Sequence, residues 1–179
     1  MQNTLSEQEL IAACKEGKKF AQEQFFKINA NKMFAVCLRY TNTREDAEDV
    51  LQEGFIKVFK NLNKFEAKGS LEGWVRRIFV NTAIEHYRKN AKWQYAEDAQ
   101  NVVLDSGDIS ILHKLKADDL LQLVSKLPLG YRTVFNMFAI EGFAHQEIAK
   151  TLNISESTSK TQLFKARAAL QQMIKKIGE

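Results

Sequence analysis

The sequence holds a single proline, Pro128, and only eight glycines among 179 residues. So few turn formers argue against an all-β fold, which needs many tight reversals. There is no long apolar run and the mean hydropathy is -0.34, so no transmembrane helix is expected. No basic stretch followed by an apolar core lies behind Met1, so no secretory signal is expected. Cysteine is limited to Cys14 and Cys37. Both sit at apolar helical positions without metal-ligand spacing, and buried free thiols in a reducing cytoplasm are expected. What remains is ordinary: 45% hydrophobic and 27% charged residues exclude wholesale disorder. The length suits one ordinary domain or two small ones.

Net charge is only +4, but it is unevenly spread. Residues 1–92 carry +4, residues 93–113 carry -4 with no Lys or Arg at all, and residues 114–179 carry +4 again. Two basic blocks flanking an acidic one point to polyanion partners for the blocks.

Helical spacing dominates both blocks. Ser6 followed by Glu9 forms a capping box ahead of Leu10, Ala13 and Cys14. Residues 21–39 repeat Phe25, Ile28, Met33, Val36 and Cys37 at helical spacing. Thr43-Arg44-Glu45-Asp46 opens an acid-headed helix carrying Val50, Leu51, Phe55, Val58, Phe59 and Leu62. Residues 63–70 break the period and read as a loop. A further helix begins at Ser70 and carries Trp74, Ile78, Ala83 and Tyr87 to about Asn90. Between Trp93 and Ile111 no period is sustained, and Asp105-Ser106-Gly107-Asp108 is turn-rich. The second block predicts helices over 114–127 and 129–140, divided at Leu127-Pro128. Two short helices follow. The fold class is therefore all-α: two small helical domains, 1–92 and 114–179, joined by a flexible acidic linker at 93–113.

Residues 143–172 read as a helix-turn-helix. His145 to Leu152 forms a short helix with Ile148, Ala149 and Leu152 inward, and Asn153 occupies a turn that needs a left-handed residue. Ser155 is the expected cap of a helix from Glu156 to about Ile177. Its inward stripe is Ser159, Leu163, Ala166 and Leu170, and its outward face is Lys160, Thr161, Phe164 and Lys165. No acid occurs from Ser157 to Gly178, as docking into a phosphate-lined groove requires.

Two other clusters carry chemistry. Glu45, Asp46, Glu48, Asp49 and Glu53 crowd one helix, whose surface would repel phosphates and suit a basic protein partner. Asp46, Asp49 and Glu53 share a face and could also chelate Mg²⁺, but no second ligand-bearing helix is evident. Trp74, Phe79 and Tyr87 lie among Arg76, Arg77, Arg88 and Lys89. Rings that stack on unpaired bases beside backbone-following cations are the chemistry of single-strand capture.

These motifs carry a family resemblance. The segment Glu147-Ile-Ala-Lys-Thr-Leu-Asn-Ile-Ser155, continued to Leu170, resembles the promoter-reading end of sigma factors. The group is the extracytoplasmic-function sigma factors of the sigma-70 family, bacterial RNA polymerase initiation subunits. Asp46-Ala-Glu-Asp-Val-Leu-Gln-Glu-Gly-Phe55 is similar to that family's core-binding motif, and residues 69–88 to its promoter-melting and minus-ten segment. The resemblance implies that Asp46, Asp49, Gln52 and Glu53 grip the coiled-coil clamp of the polymerase's largest subunit. It implies minus-ten contacts by Lys64, Lys68, Ser70, Trp74, Arg77, Asn81 and Arg88, with residues 64–70 forming a pocket for a base flipped from the non-template strand. It implies minus-thirty-five contacts by Ser157, Thr158, Lys160, Thr161, Phe164 and Lys165.

The expected partners are core RNA polymerase, promoter DNA and an anti-sigma factor, in the cytoplasm, with no cofactor and no enzymatic activity. A stand-alone helix-turn-helix regulator and a metal-dependent nuclease built on Asp46, Asp49 and Glu53 are the alternatives. Two positions depart from the family. Ser159 replaces an aliphatic residue, which is expected to loosen helix packing, and Gln162 replaces an arginine, which is expected to remove a DNA contact. The acidic linker reads either as an electrostatic mimic of RNA or as a tether.

Overall fold

The computed structural model describes residues 5–90 and 117–177. The chain divides into two compact units, Met1–His86 and Tyr87–Glu179, each described by itself. The linker expected at 93–113 lies outside the described residues. Every element described is helical, and no helix among the described residues is long and apolar enough to cross a membrane.

In the first unit, helix α1 (Glu7–Lys15) starts at the Ser6 capping box. The Ser6 hydroxyl accepts from the Glu9 amide at 3.3 Å, and the Glu9 carboxylate accepts from the Ser6 amide at 2.8 Å. Gly17, at φ +75, ends the helix in the left-handed region. Helix α2 (Lys19–Tyr40) buries Ala21, Phe25, Met33, Val36, Cys37 and Tyr40. Ile28, expected in that stripe, instead faces outward and is 54% exposed. Its spacing puts it about 60° from Phe25 and away from the Met33–Val36–Tyr40 side. Both thiols are buried and unbonded, and burial pushes that of Cys37 up to about 12.

Helix α3 (Arg44–Asn61) is capped by the Thr43 hydroxyl, which accepts from the Asp46 amide at 3.1 Å. It buries Ala47, Val50, Gly54, Phe55 and Val58, while Leu51 and Phe59 are only partly covered. A 3-10 turn (Leu62–Lys64) follows, then the loop. Helix α4 (Leu71–Asn90) buries Leu71, Val75, Phe79, Val80, Ala83, Ile84 and Tyr87. Ala83 and Tyr87 are buried as expected, but Trp74 and Ile78 are only half-buried and Val75 and Phe79 take their places in the core. Gly54 sets that phase. An added Cβ at Gly54 would overlap the ring of Phe79, which is fully buried and edge-on to Phe55 with centroids 5.1 Å apart.

The second unit contains α5 (Ala117–Ser125), α6 (Leu129–Phe135), α7 (His145–Leu152) and α8 (Glu156–Ile177). The helix expected to run through 140 is α-helical only to Phe135 and continues as a π turn, Asn136–Ile140, with the Glu141 amide donating to the Asn136 carbonyl at 3.0 Å. Gly142, at φ +75, then reverses the chain. The core joins Leu123, Tyr131, Phe135, Ile148, Leu163 and Leu170. Buried Arg132 donates Nη1 to the Ser125 carbonyl at 2.9 Å, satisfying the end of α5.

Gly54→Ala is expected to destabilise the protein by about 1–3 kcal/mol through overpacking against Phe79. Urea unfolding followed by aromatic ellipticity measures it, and an unchanged midpoint would mean that Phe79 has room to move.

Candidate functional site

Three surfaces collect the residues singled out by sequence. The first is the outer face of α3. Asp49 and Gln52 are exposed there. Asp46 and Glu53 are half-buried and already engaged within the unit. His86 Nε2 of α4 lies 3.1 Å from Asp46 Oδ1. The Lys57 ammonium bridges Glu53 of its own helix at 2.9 Å and Glu85 of α4 at 2.7 Å. Burial opposes the Lys57 charge, but hydrogen bonds and charges from Glu85 and Glu53 outweigh it and hold the ammonium above its ordinary pKa. Among the described residues no group of three His, Cys, Asp or Glu side chains could hold a metal.

The second surface is a cavity of about 430 Å³ between the 65–70 loop and the start of α4. Its lining brings together Lys64, Lys68, Ser70, Trp74 and Arg77, five of the predicted residues, with Phe65, Glu66, Gly69 and Gly73. Phe65 and Trp74 form its aromatic wall, with ring centroids 5.4 Å apart. Ser70 caps α4 by accepting from the Gly73 amide at 3.1 Å. Lys15 of α1 donates to the Phe65 carbonyl at 3.4 Å and ties the loop to the first helix. Ala67 sits at φ 56, a left-handed conformation that costs a residue with a Cβ. Asn81 and Arg88 are exposed on α4 outside the cavity lining, and helical spacing puts Trp74, Arg77, Asn81 and Arg88 within one 60° sector. Phe79 and Tyr87, expected to stack on bases, are 0% and 4% exposed and belong to cores. Their apolar periodicity outweighs their proximity in sequence to the arginines. Phe65 lies within the 64–70 pocket that the resemblance implies but is not singled out there, because it gives no periodic signal inside a loop.

The third surface is the helix-turn-helix of the second unit. Asn153 adopts φ 57, ψ 47 at the end of α7. The Ser155 hydroxyl accepts from the Thr158 amide at 2.9 Å and meets the Ser157 and Thr158 hydroxyls at 2.8 Å each, so Ser157 and Thr158 shape the helix start. Lys160, Thr161 and Phe164 are exposed and Lys165 is half-buried. Lys160 pairs with Glu156 at 2.7 Å, a contact that holds the Glu156 carboxyl below the usual carboxylate range.

Ser159, Leu163, Ala166 and Leu170 are buried as expected. Ser159 does not loosen the packing: it is fully buried and lies 2.9 Å from His145 Nδ1. That imidazole stacks on Phe138, centroids 4.6 Å apart, and Arg167 stands over the same Phe138 ring at 5.8 Å. Gln162 is half-buried, with Oε1 toward Gly130 of α6.

A helix-turn-helix with a basic outer face in the second unit marks the class as a DNA-binding transcription protein. The Sigma-70 region 2 family model matches residues 25–93 and the Sigma-70, region 4 model matches residues 117–170. The chain belongs to the sigma-70 family of transcription initiation factors, in its extracytoplasmic-function (ECF) group. It is similar to the ECF RNA polymerase sigma factor SigW of Bacillus subtilis, 29% identical over 92% of this chain and 95% of that one. It is also similar to the ECF RNA polymerase sigma-E factor of Haemophilus influenzae, 25% identical over 97% and 98%. Among solved structures, the sigma factor RpoE of Bartonella quintana, in complex with the anti-sigma factor NepR, shares the fold. Its TM-score is 0.50 at 20% identity over 86% of this chain and 96% of that one.

Ser155→Ala is expected to cost the first turn of α8 about 1 kcal/mol. Amide exchange at Ser157 and Thr158 measures it, and Ser155→Asp should retain protection. Equal protection in the alanine variant would remove Ser155 as the cap.

Proposed function

We propose that this sigma factor docks on core RNA polymerase through the outer face of α3 and directs it to promoters by two separate DNA contacts. The observation that carries the reading is the family order of three surfaces: acidic α3, the aromatic cavity beside α4, and the basic outer face of α8. In this reading the N-terminal domain, 1–92, binds polymerase and melts the minus-ten element. The domain at 114–179 reads the minus-thirty-five element, and the acidic segment 93–113 joins them. Asp49 and Gln52 make the direct polymerase contacts on α3. Asp46 and Glu53 act mainly by fixing that helix against α4.

The cavity takes a base flipped from the non-template strand. Trp74 and Phe65 offer it ring faces, Lys64, Lys68 and Arg77 attract the neighbouring phosphates, and Ser70 supplies a hydroxyl at the rim. Asn81 and Arg88 extend the contact along α4. On α8, Lys160 and Lys165 meet phosphates or guanine edges, Thr161 bonds a base, and Phe164, 46% exposed, reaches a thymine methyl. Ser157 and Thr158 stand at the helix start, nearest a phosphate. A cytoplasmic setting follows from the polymerase partner. A separate anti-sigma protein, such as NepR is for RpoE, would control access to these surfaces.

Asp49→Arg places a cation toward a basic partner and is expected to weaken core binding by about a hundredfold, with helicity unchanged. Undiminished association in an equilibrium binding assay would remove α3 as the docking helix.

Alanine at Lys160, Thr161, Phe164 and Lys165 separates two kinds of contact. A lost phosphate contact should weaken holoenzyme binding on matched and scrambled upstream elements alike and lower the salt slope by about one unit per charge. A lost base contact should cost about 1–3 kcal/mol on the matched element only. Unaltered promoter output in the fourfold variant would turn this helix away from DNA.

A further inference from the structure

We infer that Glu156, the first residue of α8, determines part of the upstream sequence by accepting a hydrogen bond from the exocyclic amine of a base, cytosine N4 or adenine N6, in the major groove. The inference rests on the DNA reading of α8 above. It adds an acceptor to a face that otherwise offers cations, hydroxyls and a ring.

Helix α8 contains one acid in 22 residues, and that acid stands at the helix start. A carboxylate there brings negative charge toward phosphates, which on charge alone weakens DNA binding. Helix formation gives little reason for it. An acid in a first turn favours the positive end of the dipole, but Ser155 already caps α8, and the Glu156 carboxylate is engaged elsewhere. It accepts from Lys160 Nζ, one turn further on, at 2.7 Å, and from the side chain of Gln146 on α7.

Those two contacts prepare the group for a third. The hydrogen bond and charge of Lys160 keep the carboxyl ionised, so it can only accept. A carboxylate has about four lone-pair sites, and two donors leave acceptor capacity on a side chain that is 41% exposed. Held by donors on two helices, it meets a base with little further ordering. Glu156, Lys160 and Phe164 stand at i, i+4 and i+8, so the acid opens the row of proposed DNA contacts, on the edge nearer α7. The N-terminal residues of a groove-reading helix are those that reach base edges. In the major groove cytosine N4 and adenine N6 are donors, whereas guanine N7 and O6 and thymine O4 are acceptors. A fixed carboxylate therefore selects for an amine and against the acceptors with one group.

Holoenzyme carrying the full chain tests this on promoter fragments in which each upstream position holds each of the four base pairs in turn. Affinities are compared as ratios between fragments, so a general loss of stability does not enter. The parent should favour cytosine or adenine at one position, and Glu156→Ala should reduce that preference about tenfold while preferences elsewhere stay. Glu156→Gln, which can pair with adenine N6 and N7 together, should favour adenine there whichever of the two the parent prefers. An equal change on every fragment in Glu156→Ala, up or down, overturns the contact in favour of a charge or folding effect. Glu156→Gln behaving as Glu156→Ala also overturns it, and Lys160→Ala flattening the same position then names Lys160 as the reader. A silent Glu156→Ala beside an impaired fourfold alanine variant at Lys160, Thr161, Phe164 and Lys165 overturns Glu156 alone. No effect of either removes α8 from DNA and both readings with it.

Discussion

The close approach of α3 and α4 at Gly54 is the constraint on which the first unit depends. With no Cβ at that position, the Phe79 ring enters the space a side chain would fill and meets Phe55 edge-on. Phe55 in turn stacks with Phe59 and receives Phe26, while Phe59 meets Phe25 of α2 edge-on. Three helices are thus keyed through one aromatic cluster whose rings bury large areas and prefer offset or perpendicular geometries. The rotational phase of α4 follows from it. With Phe79 inward, Val75 and Ala83 must also be inward, and Trp74, Arg77 and Asn81 must lie on the other side. A keyed apolar contact at one face therefore decides which residues the opposite face can present.

The polar contacts on the flank of that contact have a different task. His86 with Asp46, and Lys57 with Glu53 and Glu85, connect α3 to α4, but their side chains are between 22% and 53% exposed. Pairs so wet contribute about 0–1 kcal/mol each, far less than the aromatic cluster. Their effect is on charge distribution and side-chain direction. They draw Asp46 and Glu53 toward α4 and leave Asp49 and Gln52 as the outward groups of the motif. In the second unit the His145–Ser159 contact plays a comparable part. It ties the first residue of α7 to the inner face of α8 and holds the outward row of α8 in register without using any residue of that row.

Local signals were legible in the sequence and non-local ones were not. Asn153 in its left-handed turn, Ser155 at its cap and the Ser159–Leu163–Ala166–Leu170 stripe are all decided within a few residues, and the helix-turn-helix could be read from them. The capping box at Ser6 is equally local. Periodicity alone did not choose between two adjacent apolar rows on α4, because Trp74 and Ile78 suit a core as well as Val75 and Phe79 do. The choice was made by Gly54, about 20 residues earlier in a different helix. The same applies to Ile28 and Phe79, and to the partnership of Asp46 with His86 across 40 positions. The cavity wall at Phe65 and the π turn at Asn136–Ile140 leave no mark in hydrophobic spacing. One depends on how a loop folds back on α4, and the other on a single backbone bond of five-residue span.

These contacts also explain how a chain of net charge only +4 can present surfaces of opposite sign. Charges lying between helices are matched internally, as Lys57 of α3 is by Glu85 of α4 as well as by Glu53 of its own helix. The charges left unmatched at the outer faces then set what each face attracts. On the middle of α3 the outward groups Glu45, Asp49 and Gln52 are acidic or neutral, with Arg44 and Lys60 at its two ends, and a polyanion is disfavoured there. On α4 the outward row is Arg77, Asn81 and Arg88, beside a cavity with aromatic walls, and a polyanion is attracted. Were the net charge strongly positive throughout, long-range attraction to DNA would act on the whole surface and blur the distinction. Near-neutrality overall, with sign separated by helix face, would in the proposed reading let a small helical unit hold a basic protein on one side and nucleic acid on another. The aromatic key at Gly54 and Phe79 is what keeps those two sides apart.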